Sequence, residues 1–287
     1  VTQQTYHSSK TARTQKLSIS NIQHSTSNIQ TYICRMENII LITGATSGFG
    51  KAIAEKFAAN KWNCIITGRR EERLHQFADD LLSKFNVNVL PLVFDVQQRE
   101  ETFHQIENLP EQWKGINILV NNAGLALGRD TFDVASLDDW ETMIDTNVKG
   151  LLYMSKAVLP LMISKGKGHI INIGSTAAKE VYANGNVYCA SKFAVDAISK
   201  AQRIDLLPHK IKVTAIHPGA AATEFSLVRF KGDAEKSKAA YNGFQPLSAE
   251  DIAEICYYCA TLPQHVCIND LVVTSTAQAN SYYTYKE

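Results

Sequence analysis

The sequence has no apolar run long enough to cross a bilayer. The longest candidate, "GLLYMSKAVLPLMI" from Gly150, is broken by Lys156 and Pro160, whereas a span needs roughly 20 predominantly apolar residues. A soluble protein is expected, with no membrane partner. Charge imbalance is also missing. The 29 basic and 28 acidic residues leave a formal net charge of +1. No basic stripe or aromatic-studded basic patch accompanies it, so the expected partner is a small molecule and not nucleic acid. The six cysteines form no regular framework. Cys64 falls in the strand-like "NCIITG", and Cys256 and Cys259 fall in the helix-like "AEICYYCATL". A single Cys-x-x-Cys with no second pair at ligand spacing reads as buried, reduced thiols, which implies a reducing, cytoplasmic compartment. The eight histidines show no His-Glu-x-x-His or related spacing, so no metal is expected.

What is present begins with a contrast. Residues 1–35 are rich in Ser, Thr, Gln and Asn and hold no acidic residue. Such a segment cannot bury enough surface to offset its chain entropy, so a disordered N-terminal extension is expected, more an inert tail than an organellar transit peptide. From Met36 onward, short β-branched runs alternate with amphipathic stretches. The runs are "IILIT" (39–43), "CIITG" (64–68), "VNVLPLVFD" (87–95), "INILVNN" (116–122), "HIINIGS" (169–175), "IKVTAIHPG" (211–219) and "DLVVTS" (270–275). Runs that are apolar throughout belong to a sheet covered on both faces. The expectation is a single α/β domain over residues 36–287, a doubly wound Rossmann fold with a seven-stranded parallel sheet. A small substrate-loop region is expected over about 220–247.

Ligands of such sheets sit beyond the carboxyl ends of the strands. The loop after the first strand reads Thr43, Gly44, Ala45, Thr46, Ser47, Gly48, Phe49, Gly50. Its glycines let the backbone approach a pyrophosphate and open a helix whose amide groups attract anions. The second strand ends in Gly68, Arg69, Arg70, and the first acids, Glu71 and Glu72, fall inside the next helix. An arginine here accommodates the 2′-phosphate of NADP, whereas an acidic residue would suit NAD. NADP is the expected cofactor.

Tyr188 and Lys192 in "NVYCASKFAV" stand four residues apart on one helical face. A phenol with a reference pKa near 10 is a poor base. Bringing it toward neutrality takes roughly 3 to 4 kcal/mol of preferential stabilisation of the phenolate. An ammonium one turn away, with a cationic nicotinamide ring nearby, can supply that. Ser175 lies just past the fifth strand, and Asn147 sits in the preceding helix, "DTNVKG".

With "TGATSGFG", Asp95, "NNAG" (121–124), Asn147, Ser175, "YCASK" and "HPGAAAT" (217–223), residues 36–287 resemble a short-chain dehydrogenase/reductase. The resemblance implies that Tyr188 exchanges the proton with the substrate oxygen and Ser175 polarises and orients that oxygen. It implies that Lys192 lowers the tyrosine pKa and binds the nicotinamide ribose, and that Asn147 holds a water in the proton relay. It places Asp95 and Val96 at the adenine and Asn122, Ala123 and Gly124 at the adenine ribose side. Pro218, Gly219, Ala220, Ala221 and Thr223 fall at the nicotinamide end.

Phe49, "NNAGLALG", "DDWETMIDTNVKGL" and "TEFSLVRFKGD" are similar to the subgroup of NADP-dependent 3-hydroxy acid dehydrogenases. That subgroup includes serine and allo-threonine dehydrogenases and malonic semialdehyde reductases. A carboxylate substrate wants a cation, which Arg229 or Lys231 could provide, although an arginine on a surface loop or at a subunit contact fits the same position. His217 ahead of Pro-Gly and the small Ala220 to Ala222 depart from the expected pattern. A 3-oxoacyl carrier-protein or general carbonyl reductase would use the same four catalytic residues. A non-catalytic NADP sensor would show a broken set, and this set is complete. The resemblance also implies a homo-oligomer, a tetramer, consistent with the apolar breadth of the long helix expected from Leu137 to Gly166 and of the helix carrying Tyr188.

Overall fold

Four consecutive aliphatic side chains, Ile39 to Ile42, form the first strand, because a sheet covered on both faces offers apolar surroundings to odd and even positions alike. A computed structural model of the chain describes residues 36–287; the expected disordered extension lies outside the described residues. Ile40 and Ile42 enter one core and Ile39 and Leu41 the other. The strands are β1 (Ile39–Ile42), β2 (Asn63–Gly68), β3 (Val89–Val93), β4 (Ile116–Asn121), β5 (Gly168–Ile173), β6 (Ile211–Pro218) and β7 (Asp270–Val273). All pairings are parallel, in the order β3-β2-β1-β4-β5-β6-β7, the doubly wound Rossmann arrangement. The chain reverses direction across the sheet between β1 and β4, which opens the crevice where ligands bind. The edge strands β3 and β7 are half-exposed, so two-sided burial holds for the inner strands only.

The helices are α1 (Gly48–Ala59), α2 (Glu71–Phe85), α3 (Arg99–Glu107), α4 (Leu137–Ile144), α5 (Leu151–Lys165), α6 (Asn186–Asp205), α7 (Glu224–Arg229), α8 (Ala234–Ala239) and α9 (Ala249–Thr261). Helix α2 shows the local logic. Leu74, Phe77, Ala78 and Leu81 recur at helical spacing and are buried, Glu71 and Glu72 sit in the first turn, and Asn86 ends it in the left-handed region. Helix α9 starts with a capping box between Ser248 and Asp251. Helices α1, α2 and α9 cover one face of the sheet, α3 and α5 the other.

The stretch expected as one long helix from Leu137 is interrupted by a π-helical turn, Asp145–Gly150, between α4 and α5. Residues 220–247 carry α7 and α8 as an excursion clipped at its base, where Ala222 N donates to Leu247 O and Leu247 N to Ala220 O. Under the crevice runs a buried polar seam. Asn121 and Asn172 are register partners on β4 and β5. Asn121 Nδ2 donates to Asn172 Oδ1 and to Ser155 Oγ of α5, each at 2.9 Å. Asn172 Nδ2 donates to Ser199 Oγ and Gln202 Oε1 of α6, also at 2.9 Å. Cys64, Cys189, Cys256 and Cys259 are buried free thiols and Cys267 is half-buried. Burial pushes Cys64 up to about 12 and Cys259 to about 11, and thiols so protonated are poor nucleophiles and ligands.

Candidate active site

A cavity of about 750 Å³ opens at the carboxyl ends of β1, β2, β4, β5 and β6. Its floor is the β1–α1 loop. Gly44 (φ +66°) and Gly48 (φ +52°) adopt backbone conformations that side chains disfavour. Gly50 is needed for a different reason, since a Cβ there would lie 2.3 Å from Gly44 O and 2.5 Å from Asn122 Nδ2. The loop is held to β4 by two residues. Thr43 Oγ1 accepts from Asn122 N (3.0 Å) and Ala123 N (2.9 Å), while Asn122 Nδ2 donates to Thr43 O (2.8 Å) and Gly44 O (3.1 Å). Gly44, Thr46, Ser47, Gly48 and Phe49 line the cavity above, facing Asn122, Ala123 and Gly124. Amide groups at the start of α1 thus have room for an anion.

Both strand-end arginines line the cavity, and Arg70 reaches this floor. Arg70 donates to Thr46 Oγ1 (2.7 Å from Nη2) and Ser47 Oγ (2.9 Å), and pairs with Glu224 at 2.9 Å. Arg73 also approaches Glu224, at 3.5 Å. Arg69 pairs with Asp95 at 3.3 Å, and Asp95 and Val96 line the adjoining wall. The combination of glycine cradle, helix N-terminus and paired cations fits the pyrophosphate and 2′-phosphate of NADP.

The residues expected to act as acid and base meet at the inner end. Tyr188 and Lys192 are buried on α6. Burial drives the Tyr188 phenol above its ordinary pKa; a hydrogen bond with Ser175 and the Arg229 guanidinium pull the other way. Lys192 is lowered to about 8 by burial. Its Nζ donates to Ile173 O at 3.0 Å and lies 6.0 Å from the Tyr188 ring centre. In this geometry the neighbours pulling on the phenol are thus Ser175 and Arg229, because the Lys192 ammonium is turned to a backbone carbonyl. Ser175 caps a short three-ten turn, Thr176–Ala178, accepting from Ala177 N at 3.1 Å.

Asn147 does not line the cavity. Presented by the π-helical turn, its side chain binds both backbone groups of Leu125 at 2.8 Å and donates to Ser191 Oγ at 3.0 Å. It thereby ties the loop after β4 to α6. Single π turns recur at functional positions because they re-aim side chains within a helix.

The outer wall comes from the segment after β6. Pro218, Gly219, Ala220, Ala221 and Thr223 line the cavity, and Thr223 caps α7 through a bond from Phe225 N. Arg229, at the end of α7, faces inward. Its Nη2 donates to Tyr182 Oη at 2.9 Å, and its guanidinium carbon lies 5.5 Å from the Tyr182 ring and 5.3 Å from the Tyr188 ring. Its Nε is buried with no partner, and no carboxylate pairs with it among the described residues. Lys231 instead pairs with Asp139 at 2.8 Å and is largely exposed.

Several lining residues have no counterpart in the sequence expectations. Tyr182, Phe225, Tyr241 and Gln278 are among them. Tyr241 donates to Ala221 O at 2.6 Å and contacts Ser226 Oγ; Gln278 Oε1 accepts from Ala220 N at 2.8 Å. Tyr182, six residues before Tyr188, carries a proximity signal; Gln278 carries none, being 58 residues from the backbone it holds.

The sequence model of the family described as short chain dehydrogenase matches residues 38–233. The chain is 50% identical over 242 residues to an NADP-dependent 3-hydroxy acid dehydrogenase of Salmonella typhi, covering 84% of this chain and 96% of that protein. It is 47% identical over 249 residues to sulfoacetaldehyde reductase 2 of Chromohalobacter salexigens, covering 86% and 98%. The solved closed form of a serine dehydrogenase complexed with NADP+ superposes with a TM-score of 0.82 at 46% identity, covering 87% of this chain and 99% of that one.

Proposed function

The chain belongs to the short-chain dehydrogenase family, and from that premise we propose that its substrate is a short 3-hydroxy acid, of the serine, allo-threonine, 3-hydroxybutyrate or 3-hydroxypropionate type. It is an NADP-dependent oxidoreductase acting on CH–OH groups. The observation supporting the substrate class is Arg229, a guanidinium 5.3 Å from the Tyr188 ring with no carboxylate partner among the described residues. An acid bound there by its carboxylate would present its β-hydroxyl to Tyr188 and Ser175.

NADP, when bound, supplies the hydride acceptor or donor at the carbinol carbon. The chain does the rest. Gly44 to Gly50 and Arg70 would hold the phosphates, and Lys192 lies beside Gly124 at the inner end, where a Cβ on that glycine would be 3.5 Å from Nζ. Ser175 donates to the substrate oxygen and fixes its direction. Tyr188 holds the proton that oxygen gains or gives up. Raised by burial, the phenol is ready to donate in reduction. In oxidation it must accept a proton through the phenolate, the form Ser175 and Arg229 favour. The free thiols support a cytoplasmic setting. Leu152 and Ile163 on α5 and Phe193 and Ile204 on α6 are apolar and exposed, which supports assembly of the chain as a homo-oligomer, read as a tetramer.

Replacing Arg229 by Leu tests the substrate reading. Losing one partner of a buried charge pair costs roughly 2 to 5 kcal/mol, so kcat/KM on 3-hydroxy acids should fall by about 30-fold or more. An uncharged ketone or an acyl thioester, followed in the direction of reduction where the phenol starts protonated, should change by under about threefold, because neither has a carboxylate to lose. Equal losses on charged and uncharged substrates would place Arg229 in structure or proton transfer, and an unchanged kcat/KM on acids would remove it from binding.

Arg70→Ala tests the cofactor wall. Losing a charge-assisted phosphate contact should raise KM for NADP by about tenfold or more and leave KM for NAD nearly unchanged. A parallel rise in both would assign Arg70 to loop structure through Thr46 and Ser47.

A further inference from the structure

His217 sits at the end of β6, just ahead of Pro218 and Gly219, and its imidazole is wholly buried. The ring closely approaches Gly174, where a Cβ would stand 2.3 Å from Nδ1. Nδ1 faces the Ser175 carbonyl at 3.3 Å. With its proton on Nδ1 the neutral ring donates to that carbonyl, which only accepts, and leaves Nε2 bare toward two carboxylates whose charge Lys179 and Lys200 offset. Nε2 has no hydrogen-bond partner and faces Asp196 Oδ1 and Asp270 Oδ2, each at 3.6 Å.

Those carboxylates are already engaged. Lys179 Nζ donates to Asp196 at 3.0 Å and to Asp270 at 2.7 Å, and Lys200 Nζ takes the second oxygen of Asp196 at 2.7 Å. The ligand atoms of Asp196, His217 and Asp270 lie within 4.8 Å of one another, yet the Lys179 ammonium supplies the positive charge that a metal would. Burial, then Lys179, keeps the imidazole pKa below its ordinary value against the opposing pull of Asp270 and Asp196. Asp196 is also one helical turn beyond Lys192 on α6, and Lys192 grips Ile173 O. The two carbonyls flanking Gly174 are therefore held by separate elements, Ile173 by α6, and Ser175 by β6 together with the three-ten turn, where Ala178 N donates to it at 2.8 Å.

We propose that His217 is a positioning residue for Ser175. Its Nδ1–H fixes the Ser175 carbonyl, and through it the direction in which the Ser175 hydroxyl meets the substrate oxygen. Asp196, Asp270 and Lys179 form the frame that holds the ring. The inference rests on Ser175 acting at the reacting oxygen.

The two halves of the imidazole can be replaced separately. In His217→Asn the amide nitrogen falls near the place of Nδ1, and in His217→Gln near that of Nε2. Since a misplacement of about 1 Å can cost roughly 10²-fold, kcat of the Asn variant should exceed that of the Gln variant by about tenfold or more, with KM for NADP alike in both. Equal kcat values in the two variants would overturn the proposal. Ser175→Ala is the control: if it loses no activity, the reading of the active site fails instead. Nitrogen-15 NMR of the unaltered protein gives a readout free of turnover and of folding defects. A slowly exchanging proton on Nδ1 of the buried ring at neutral pH is expected, and a proton on Nε2 would overturn the assignment.

Discussion

Tyr188→Phe should lower kcat by about 10² to 10⁴-fold, the range spanned by a general acid/base in a positioned site, while NADP affinity stays within about twofold. The substitution removes one oxygen and leaves the ring, which packs 5.7 Å from Phe225 and under the Arg229 guanidinium. Burial is unchanged, so a stability loss cannot mimic the effect. Stopped-flow hydride transfer with saturating NADP and calorimetric binding separate the two quantities. Retention of kcat within tenfold would move proton transfer to another group; a matching loss of NADP affinity would make the phenol a binding residue.

Gly50→Ala should raise the dissociation constant for NADP by roughly 10- to 40-fold, although by helix propensity alone it ought to help. Alanine is favoured over glycine inside a helix by about 0.8 to 1.0 kcal/mol, and Gly50 lies in the first turn of α1. Against that gain stands a Cβ 2.3 Å from Gly44 O, a backbone atom that no rotamer change can move aside. Overpacking of this kind costs about 1 to 3 kcal/mol. Relief would require the loop to part from the Asn122 amide that grips Thr43 O and Gly44 O. Titration calorimetry and thermal melts decide between the effects. A variant with a higher Tm and native affinity would show that propensity wins and that the close approach is dispensable.

What the sequence made legible was chemistry written in short intervals. The β1–α1 glycines, the strand-end arginines and the Tyr188 and Lys192 pair are each local, and the inner strands announce themselves because both faces are apolar. What it hid depends on residues distant in the chain. Gln278 reaches the site only when the C-terminal segment folds back over Ala220. The Asp196, His217 and Asp270 cluster draws on α6, β6 and β7, so no spacing could reveal it. The resemblance gives Asn147 a water in the proton relay; that its side chain also ties Leu125 to Ser191 follows from the π turn, which helical periodicity cannot distinguish from an ordinary helix. The partial exposure of β3 is not legible in the sequence, because an edge strand and an inner strand read alike when both are aliphatic.

The polar seam beneath the crevice has a further consequence for how the chain recognises its own fold. Strands that are apolar on both faces carry little information about which residue should lie opposite which, and a slip by two positions would keep every side chain on its proper face. For β4 and β5 such a slip would set Asn121 opposite Ile170 or Gly174 in place of Asn172, and strip both amides of their shared hydrogen bond. Each buried amide left unsatisfied costs about 1 to 3 kcal/mol, a large share of the margin by which a domain is stable. The two asparagines thus act as an alignment mark, and they align the two strands that deliver Asn122 and Ser175 to the same cavity.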